Sequence, residues 1–112
     1  MGHIAIRLNP QKLTNPDLDI RYALPDLVHE HTANRIKDDG YDYASDSDNT
    51  LIVYLSCVSP VADVQEVIRI LQSHEVCGNR VLDLAVIGIS DDSRNFKIVH
   101  PDGGGEFTVT DW

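Results

Sequence analysis

Basic residues are scarce in this sequence. Nine Lys and Arg stand against 18 Asp and Glu, which gives a formal net charge of −9 over 112 residues. Nucleic acids and anionic membranes are bound through Lys and Arg, so the imbalance disfavours both as direct partners. It favours a basic protein as the partner instead.

Cysteines and long apolar runs are also few. Cys57 and Cys77 are the two cysteines, and they lack the paired spacing of a zinc site, so we expect free, buried thiols. The longest apolar run is far shorter than the ~20 residues that span a membrane. Residues 1–8 have neither the charged start nor the apolar core of a secretory signal. We therefore expect a soluble, cytoplasmic protein.

The overall composition is that of one ordinary globular domain covering residues 1–112. Hydrophobic residues make up 42% and charged residues 24%, which argues against disorder. The chain is long enough to bury one core without disulfides or metals.

The centre of the chain predicts a strand, a helix and a strand. Apolar runs at 51–58 and 81–89 flank residues 61–71, whose apolar positions recur three and four apart. Asp63 falls on the polar face of this helix, and Gly78 suits the left-handed position after it. The second run is apolar on both strand faces except at Asp83, which is typical of an interior strand.

The flanking segments complete the predicted order. Alternation in residues 3–8 indicates a first strand, and Pro25 divides the next segment into helices at 16–23 and 25–37. Residues 96–109 alternate around a Gly-rich turn, as in a hairpin. The order β-α-α-β-α-β-β-β predicts an α/β (α+β) class, with a single mixed sheet of about five strands and helices mainly on one face. Whether the strand at 81–89 lies beside 51–58 or one strand away stays open.

An acidic segment at residues 38–48 is the most unusual part of the chain. Its five aspartates have no Lys or Arg among them, and Tyr41 and Tyr43 interleave with them. Like charges so close together cannot pair with one another, so we expect an exposed loop. Carboxylates and tyrosines together suit the grip of a basic protein.

No catalytic, metal or cofactor site emerges from the motifs. His29 and His31 are two residues apart, so a helix points them in different directions. Residues 46–57 begin like a calcium loop but lack its Gly at position six and its Glu at position twelve. His100 with Asp102 permits an acid–base pair, although the same turn needs only its Pro and Gly residues. We therefore expect no enzyme activity, no metal and no cofactor.

Residues 15–27, NPDLDIRYALPDL, and 38–43, DDGYDY, resemble a pattern found in immunity proteins of bacterial polymorphic-toxin systems. In size, charge and element order the chain is similar to the contact-dependent growth inhibition group. The resemblance implies a cytosolic protein that binds and neutralises one cognate toxin domain, commonly a basic nuclease.

The predicted function is therefore toxin binding through an acidic surface. The candidate partner-binding residues are Asp38, Asp39, Tyr41, Asp42, Tyr43, Asp46 and Asp48, with Asp17, Asp19 and Asp26 as possible additions. The alternative is a small regulatory or ligand-binding domain without catalytic activity. A homodimer is a further candidate assembly, formed in the ligand-binding alternative through an open sheet edge.

Overall fold

A computed structural model describes residues 2–9, 12, 19–33, 35–43, 50–91, 95–100 and 105–108. Within these ranges the chain forms six strands and two α-helices. In chain order they are β1 (Gly2–Leu8), α1 (Ile20–His31), β2 (Lys37–Tyr43), β3 (Leu51–Cys57), α2 (Pro60–Ser73), β4 (Val86–Ser90), β5 (Asn95–His100) and β6 (Glu106–Thr108). Neither of the described helices has the length and apolar character needed to cross a membrane.

The strands form one sheet in the order β2-β3-β1-β4-β5-β6. All five neighbouring pairs in this sheet are antiparallel. The predicted single sheet of α+β class is confirmed, with six strands, whereas the prediction of a mixed sheet is wrong. The reason is that α2 returns the chain one strand away from β3. Strand β1 lies between β3 and β4, so the two parallel strands never pair.

The two helices pack against the same face of the sheet, as predicted. Ile4, Ile6 and Leu8 of β1 share a buried core with apolar residues from both helices. The intervening Ala5 belongs to a much smaller cluster with Ile52 and Phe96. Because side chains alternate along a strand, these two clusters lie on opposite faces of the sheet.

One helix, α1, replaces the two helices predicted around Pro25. Pro25 lies buried inside α1, although it cannot donate a hydrogen bond to the carbonyl group four residues earlier. Ile20, Leu24 and Val28 are buried on the core side of this helix. Packing of an apolar face supplies most helix stability in proteins, so this burial offsets the lost bond. Residues 16–18 of the predicted first helix lie outside the described ranges.

The predicted strand at 81–89 begins later than expected. Residues Val81–Asp83 form a short 3₁₀ helix, and β4 covers Val86–Ser90. Val81 is buried, so the apolar pattern at this point reflects packing of a turn against the core. Strand β4 lies inside the sheet, as predicted, and β5 pairs with β6 as the predicted hairpin. Residues 101–104 of its Gly-rich connection are outside the described ranges.

Gly78 adopts the left-handed conformation expected of it, but in a different setting. Cys77 and Gly78 have φ of 51° and 79°, and the backbone groups of Val76 and Asn79 exchange two hydrogen bonds of 2.9 Å. Two central residues with positive φ define a tight type I′ turn. Because α2 already ends at Ser73, this turn follows the helix without capping it.

Candidate interaction surface

The acidic segment forms an edge strand where a loop was predicted. Residues Lys37–Tyr43 make up β2, an outer strand of the sheet that pairs with β3. Tyr43 packs against the main core, and this contact together with backbone pairing overrides the weak strand preference of aspartate. The expected exposure is found: Asp38 and Asp39 are exposed, and Asp42 is half-buried.

A bulge shapes this strand. The register with β3 shifts between Asp38 and Tyr41, and Gly40 has φ of 94° there. The Asp38 carboxylate accepts a hydrogen bond of 2.9 Å from the Gly40 N–H, and the Asp42 carboxylate accepts one of 2.8 Å from the Tyr43 N–H. A bulge and a row of charges are also how natural sheets keep an exposed edge from pairing with other chains.

Three tyrosines meet beside the acidic strand. The ring centroids of Tyr22, from α1, and Tyr41, from β2, are 5.8 Å apart and nearly perpendicular. The Tyr41 and Tyr43 centroids are 6.1 Å apart in a similar edge-to-face arrangement. Tyr22 and Tyr41 are the exposed members, at 48% and 39%. The cluster therefore presents aromatic surface at the edge strand that also carries the carboxylates. Asp42 pairs with Ile52 and so lies on the other face of the sheet from Tyr41 and Tyr43.

Arg21 joins this cluster from α1. Its guanidinium carbon lies 4.8 Å from the Tyr22 ring centroid and 5.4 Å from that of Tyr41, within the range of cation–π attraction. Hydrogen bonds to the hydroxyl groups of Tyr22 and Tyr43 raise the pKa of Arg21. The bond from Arg21 lowers the pKa of Tyr22, whereas the bond to Tyr22 raises the pKa of Tyr41. This network ties α1 to β2 at the surface.

We call this region the α1–β2 surface. It consists of Arg21, Tyr22, Asp38, Asp39, Tyr41, Asp42 and Tyr43. The structure thus places five of the seven candidate partner-binding residues on one strand, while Asp46 and Asp48 lie outside the described ranges, as does Asp17. Asp26 is exposed one helical turn beyond Tyr22, and Asp19 is exposed just before α1. Arg21 and Tyr22 were not predicted as members, since only the packing of α1 beside β2 brings them there.

Comparisons with protein-family models, with curated proteins and with solved structures found no match.

A second polar group lies at the start of α2. The Asp63 carboxylate is buried, contrary to the prediction of an exposed helix face. It lies 3.6 Å from Nε of Arg35 and accepts a hydrogen bond of 3.4 Å from the Ser59 N–H. Burial, and then the charge and hydrogen bond of Asp63, raise the pKa of the Cys57 thiol to about 11. These partners compensate the buried carboxylate and give it a structural role.

The ion pairs around Asp63 extend along α2. Arg35 also approaches Glu66 at 3.7 Å, and Arg69 forms an ion pair with the same carboxylate. The hydrogen bond from Arg69 holds the pKa of Glu66 below its usual range. This network links the segment after α1 to α2 and neutralises acids there. It therefore differs from the α1–β2 surface, where the contacts of Arg21 are with tyrosines.

His100 serves a positional role in the described part of the chain. Its Nε2 donates a hydrogen bond of 2.8 Å to the Leu82 carbonyl oxygen, which fastens the 3₁₀ helix to β5. Asp102, its proposed acid–base partner, lies outside the described ranges. Within those ranges no group of three or more His, Cys, Asp or Glu side chains is placed to hold a metal ion.

An open depression of about 350 Å³ lies at the other end of the sheet. Apolar Val61 and Ile89 line it together with the polar or charged Ser90, Asp91 and Lys97. The volume lies near the lower end of the range for small-molecule pockets, which are usually more enclosed.

Proposed function

We propose that this chain is a binding protein that neutralises a basic protein toxin through its α1–β2 surface. The observation that carries the proposal is that three carboxylates belong to the same exposed edge strand, β2, as Tyr41 and Tyr43, whose rings cluster with that of Tyr22 from α1. A nuclease domain is the partner expected from the resemblance to immunity proteins. Such a domain must be basic to hold nucleic acid.

The carboxylates would act mainly on association. Opposite charges on two surfaces raise the encounter rate by about 10–10³-fold, and this gain falls as salt rises. Asp38 and Asp39 are exposed, and Asp39 has the nearby His3 ring at 3.6 Å as a weak partner. Their charge is thus available to a positively charged surface.

The tyrosines would act mainly on the lifetime of the complex. Tyrosine is enriched in the energetically dominant centres of protein interfaces because its rigid ring gives a large contact area. Tyr22 and Tyr41 hold each other edge to face, so their positions are fixed before binding. Protection of a sheet edge requires charges and a bulge but no exposed aromatic rings. The tyrosines therefore favour a binding role over edge protection alone.

Neutralisation follows from charge in this proposal. An acidic chain, with a formal net charge of −9, whose α1–β2 surface covers basic side chains of a nuclease would compete directly with the phosphate backbone for them. The chain needs no catalytic residue for this action.

Matched capture experiments test the proposal. The variant Asp38→Asn/Asp39→Asn/Asp42→Asn keeps the side-chain shapes and changes the net charge from −9 to −6. The control variant Glu75→Gln/Asp83→Asn/Asp91→Asn removes three exposed charges elsewhere. Wild type and control should capture the same basic protein from a native bacterial lysate at equal stoichiometry. The variant Asp38→Asn/Asp39→Asn/Asp42→Asn, called the α1–β2 variant below, should capture much less of that protein. Equal capture by both variants would contradict the proposal.

Substitution of the aromatic ring gives a second test. Tyr41→Ala should speed dissociation of the captured complex about tenfold or more, as expected for a central interface residue. Tyr41→Phe keeps the ring and should retain most of the lifetime. An equal effect of both substitutions would show that the hydroxyl network, rather than the ring surface, matters.

The depression lined by Val61, Ile89 and Lys97 favours a second candidate function, the binding of a small molecule. A ligand that binds only the folded state at 100 times its Kd stabilises by about 2.7 kcal/mol, which a thermal-shift screen detects. Loss of such a shift in Lys97→Gln would support this site, and a screen without shifts would count against it.

A further inference from the structure

The two helices end side by side and bring two histidines into contact. His31 is the last residue of α1, and His74 is the C-cap residue of α2. Their ring centroids are 4.5 Å apart, with an interplanar angle of 63°. Both residues are exposed, so a solute can reach the pair. The two histidines are 43 residues apart in the sequence, so only the packing of α1 beside α2 creates this pairing.

The hydrogen bonds of the two rings fix which nitrogen is free. Nδ1 of His31 lies 3.0 Å from the Leu27 carbonyl oxygen, and Nδ1 of His74 lies 3.0 Å from the Ile70 carbonyl oxygen. A carbonyl oxygen can only accept a hydrogen bond, so each Nδ1 must carry the proton. In the neutral ring, Nε2 then holds a lone pair. Both histidines therefore offer Nε2 as a ligand atom.

This arrangement matches how proteins prepare histidines for metals. A metal-binding His commonly donates its other ring N–H to a carbonyl or carboxylate, which fixes the ring and makes the ligand nitrogen more basic. Here both rings have that bond, each to the carbonyl of the residue four positions earlier on its own helix. The two rings are thus held in the same way by two different helices.

The surrounding electrostatics also favour a cation. Each α-helix carries about half a negative charge at its C-terminus, and α1 and α2 bring these ends together at the histidine pair. The exposed Glu75 follows His74 directly, and the whole chain is acidic. No basic residue lies in the last turn of α2 to offset this potential.

We propose that His31 and His74 form a surface site for one divalent transition-metal ion of the Zn²⁺ class. With Zn–N bonds of about 2.0–2.1 Å, two imidazoles on one ion have centroids about 5 Å apart, close to the 4.5 Å found here. Imidazole nitrogen suits Zn²⁺ and its neighbours, and it disfavours Mg²⁺ and Ca²⁺. The described residues supply no third ligand group, so water completes the coordination. The site is independent of the α1–β2 surface.

Zinc titration of the purified chain by calorimetry tests the site. The informative variants are His31→Asn and His74→Asn, because the Asn amide nitrogen can replace Nδ1 as donor but offers nothing in place of Nε2. Loss of a residue that only hydrogen-bonds to a metal ligand lowers metal affinity by about 10–100-fold. Loss of the ligand itself should therefore lower the affinity for Zn²⁺ by at least about tenfold. His29→Asn is the matched control: His29 also lies on α1, but its Nδ1 contacts the Ile36 carbonyl oxygen at 3.3 Å.

The expected result is one Zn²⁺ per chain, lost or weakened at least about tenfold in each of the two variants and unchanged in the control. Imidazole ¹⁵N spectra give a second readout. Protonated Nδ1 is expected in both rings without metal, and both Nε2 signals should shift on addition of Zn²⁺. Equal affinity in wild type and both variants, or Nε2 signals that stay in place, would overturn the site. Absence of stoichiometric zinc binding to wild type would overturn it as well.

Discussion

The thiol of Cys57 makes the stability of the protein depend on pH in a defined window. Cys57 is 4% exposed at the end of β3, and burial, followed by the Asp63 carboxylate, raises its pKa from 9.0 to about 11. Well below pH 9 the thiol is protonated in both the folded and the unfolded chain. Between pH 9 and 11 the unfolded chain loses this proton while the folded chain keeps it, so unfolding becomes more favourable.

The size of the effect follows from the shift. Two pKa units correspond to at most about 2.7 kcal/mol of unfolding free energy across the full window. Between pH 8.5 and 10.5, the same two pKa values give a loss of at most about 1.7 kcal/mol. This is a substantial fraction of the 5–15 kcal/mol that stabilises a typical domain. The loss comes on top of whatever the tyrosines and lysines contribute as they titrate.

Urea unfolding of wild type and of Cys57→Ala at pH 8.5 and at pH 10.5 isolates the contribution of the Cys57 thiol to the unfolding free energy. Tyrosines and lysines titrate equally in both proteins, and the small cavity left by the substitution costs the same at each pH. The stability advantage of wild type over Cys57→Ala should therefore shrink by up to about 1.7 kcal/mol at pH 10.5. Cys77→Ala, which keeps Cys57, should retain the wild-type pH dependence. An advantage of wild type that stays constant from pH 8.5 to 10.5 would refute the reasoning.

Two further substitutions test the packing. Phe96 is fully buried in the small cluster on the face opposite the helices. Phe96→Ala should therefore lower the unfolding free energy by about 3–5 kcal/mol in urea unfolding, against about 0.5–1.5 kcal/mol for Ile52→Val in the same cluster. A smaller loss of unfolding free energy in Phe96→Ala than in Ile52→Val would contradict the described second face. Gly78→Ala meets no atom within 4 Å of the added Cβ, so only the φ of 79° opposes it. It should lower the unfolding free energy by about 1–2 kcal/mol, and a stabilising effect would contradict the left-handed turn.

Local patterns predicted the elements that bury one face. The alternation of Ile4, Ile6 and Leu8 identified β1, and the three-and-four spacing of Val64, Val67 and Leu71 identified α2. In each case the side-chain period identified these core residues, although Ala5 of β1 and Asp63 of α2 are buried as well. The antiparallel hairpin of β5 and β6 was found in the same way.

Distant contacts decided the elements that the patterns missed. Pro25 is tolerated because its neighbours in α1 are buried against the sheet, which no local rule anticipates. The burial of Asp63 is compensated from outside its helix, since Arg35 lies 3.6 Å from its carboxylate and the neutral Cys57 thiol forms a hydrogen bond with it. The strand preference of residues 37–43 was masked by charge, although the alternation of Tyr41 and Tyr43 was a local sign of it.

The candidate surface was only partly predictable for the same reason. Its acids and two of its tyrosines follow from composition, since a cluster of unpaired carboxylates must be exposed. Tyr22 and Arg21 come from another element, and no spacing in the sequence relates them to β2. The aromatic cluster that distinguishes a binding surface from a protected edge therefore required the fold.

The salt dependence of binding kinetics tests the central claim most directly. The captured partner would be bound to wild type, to the α1–β2 variant lacking three carboxylates, and to the control variant with the same net charge. The account predicts that only the α1–β2 variant shows a slower association rate and a flatter dependence of that rate on salt. Identical rates and salt slopes for the two variants would contradict the role of the α1–β2 surface.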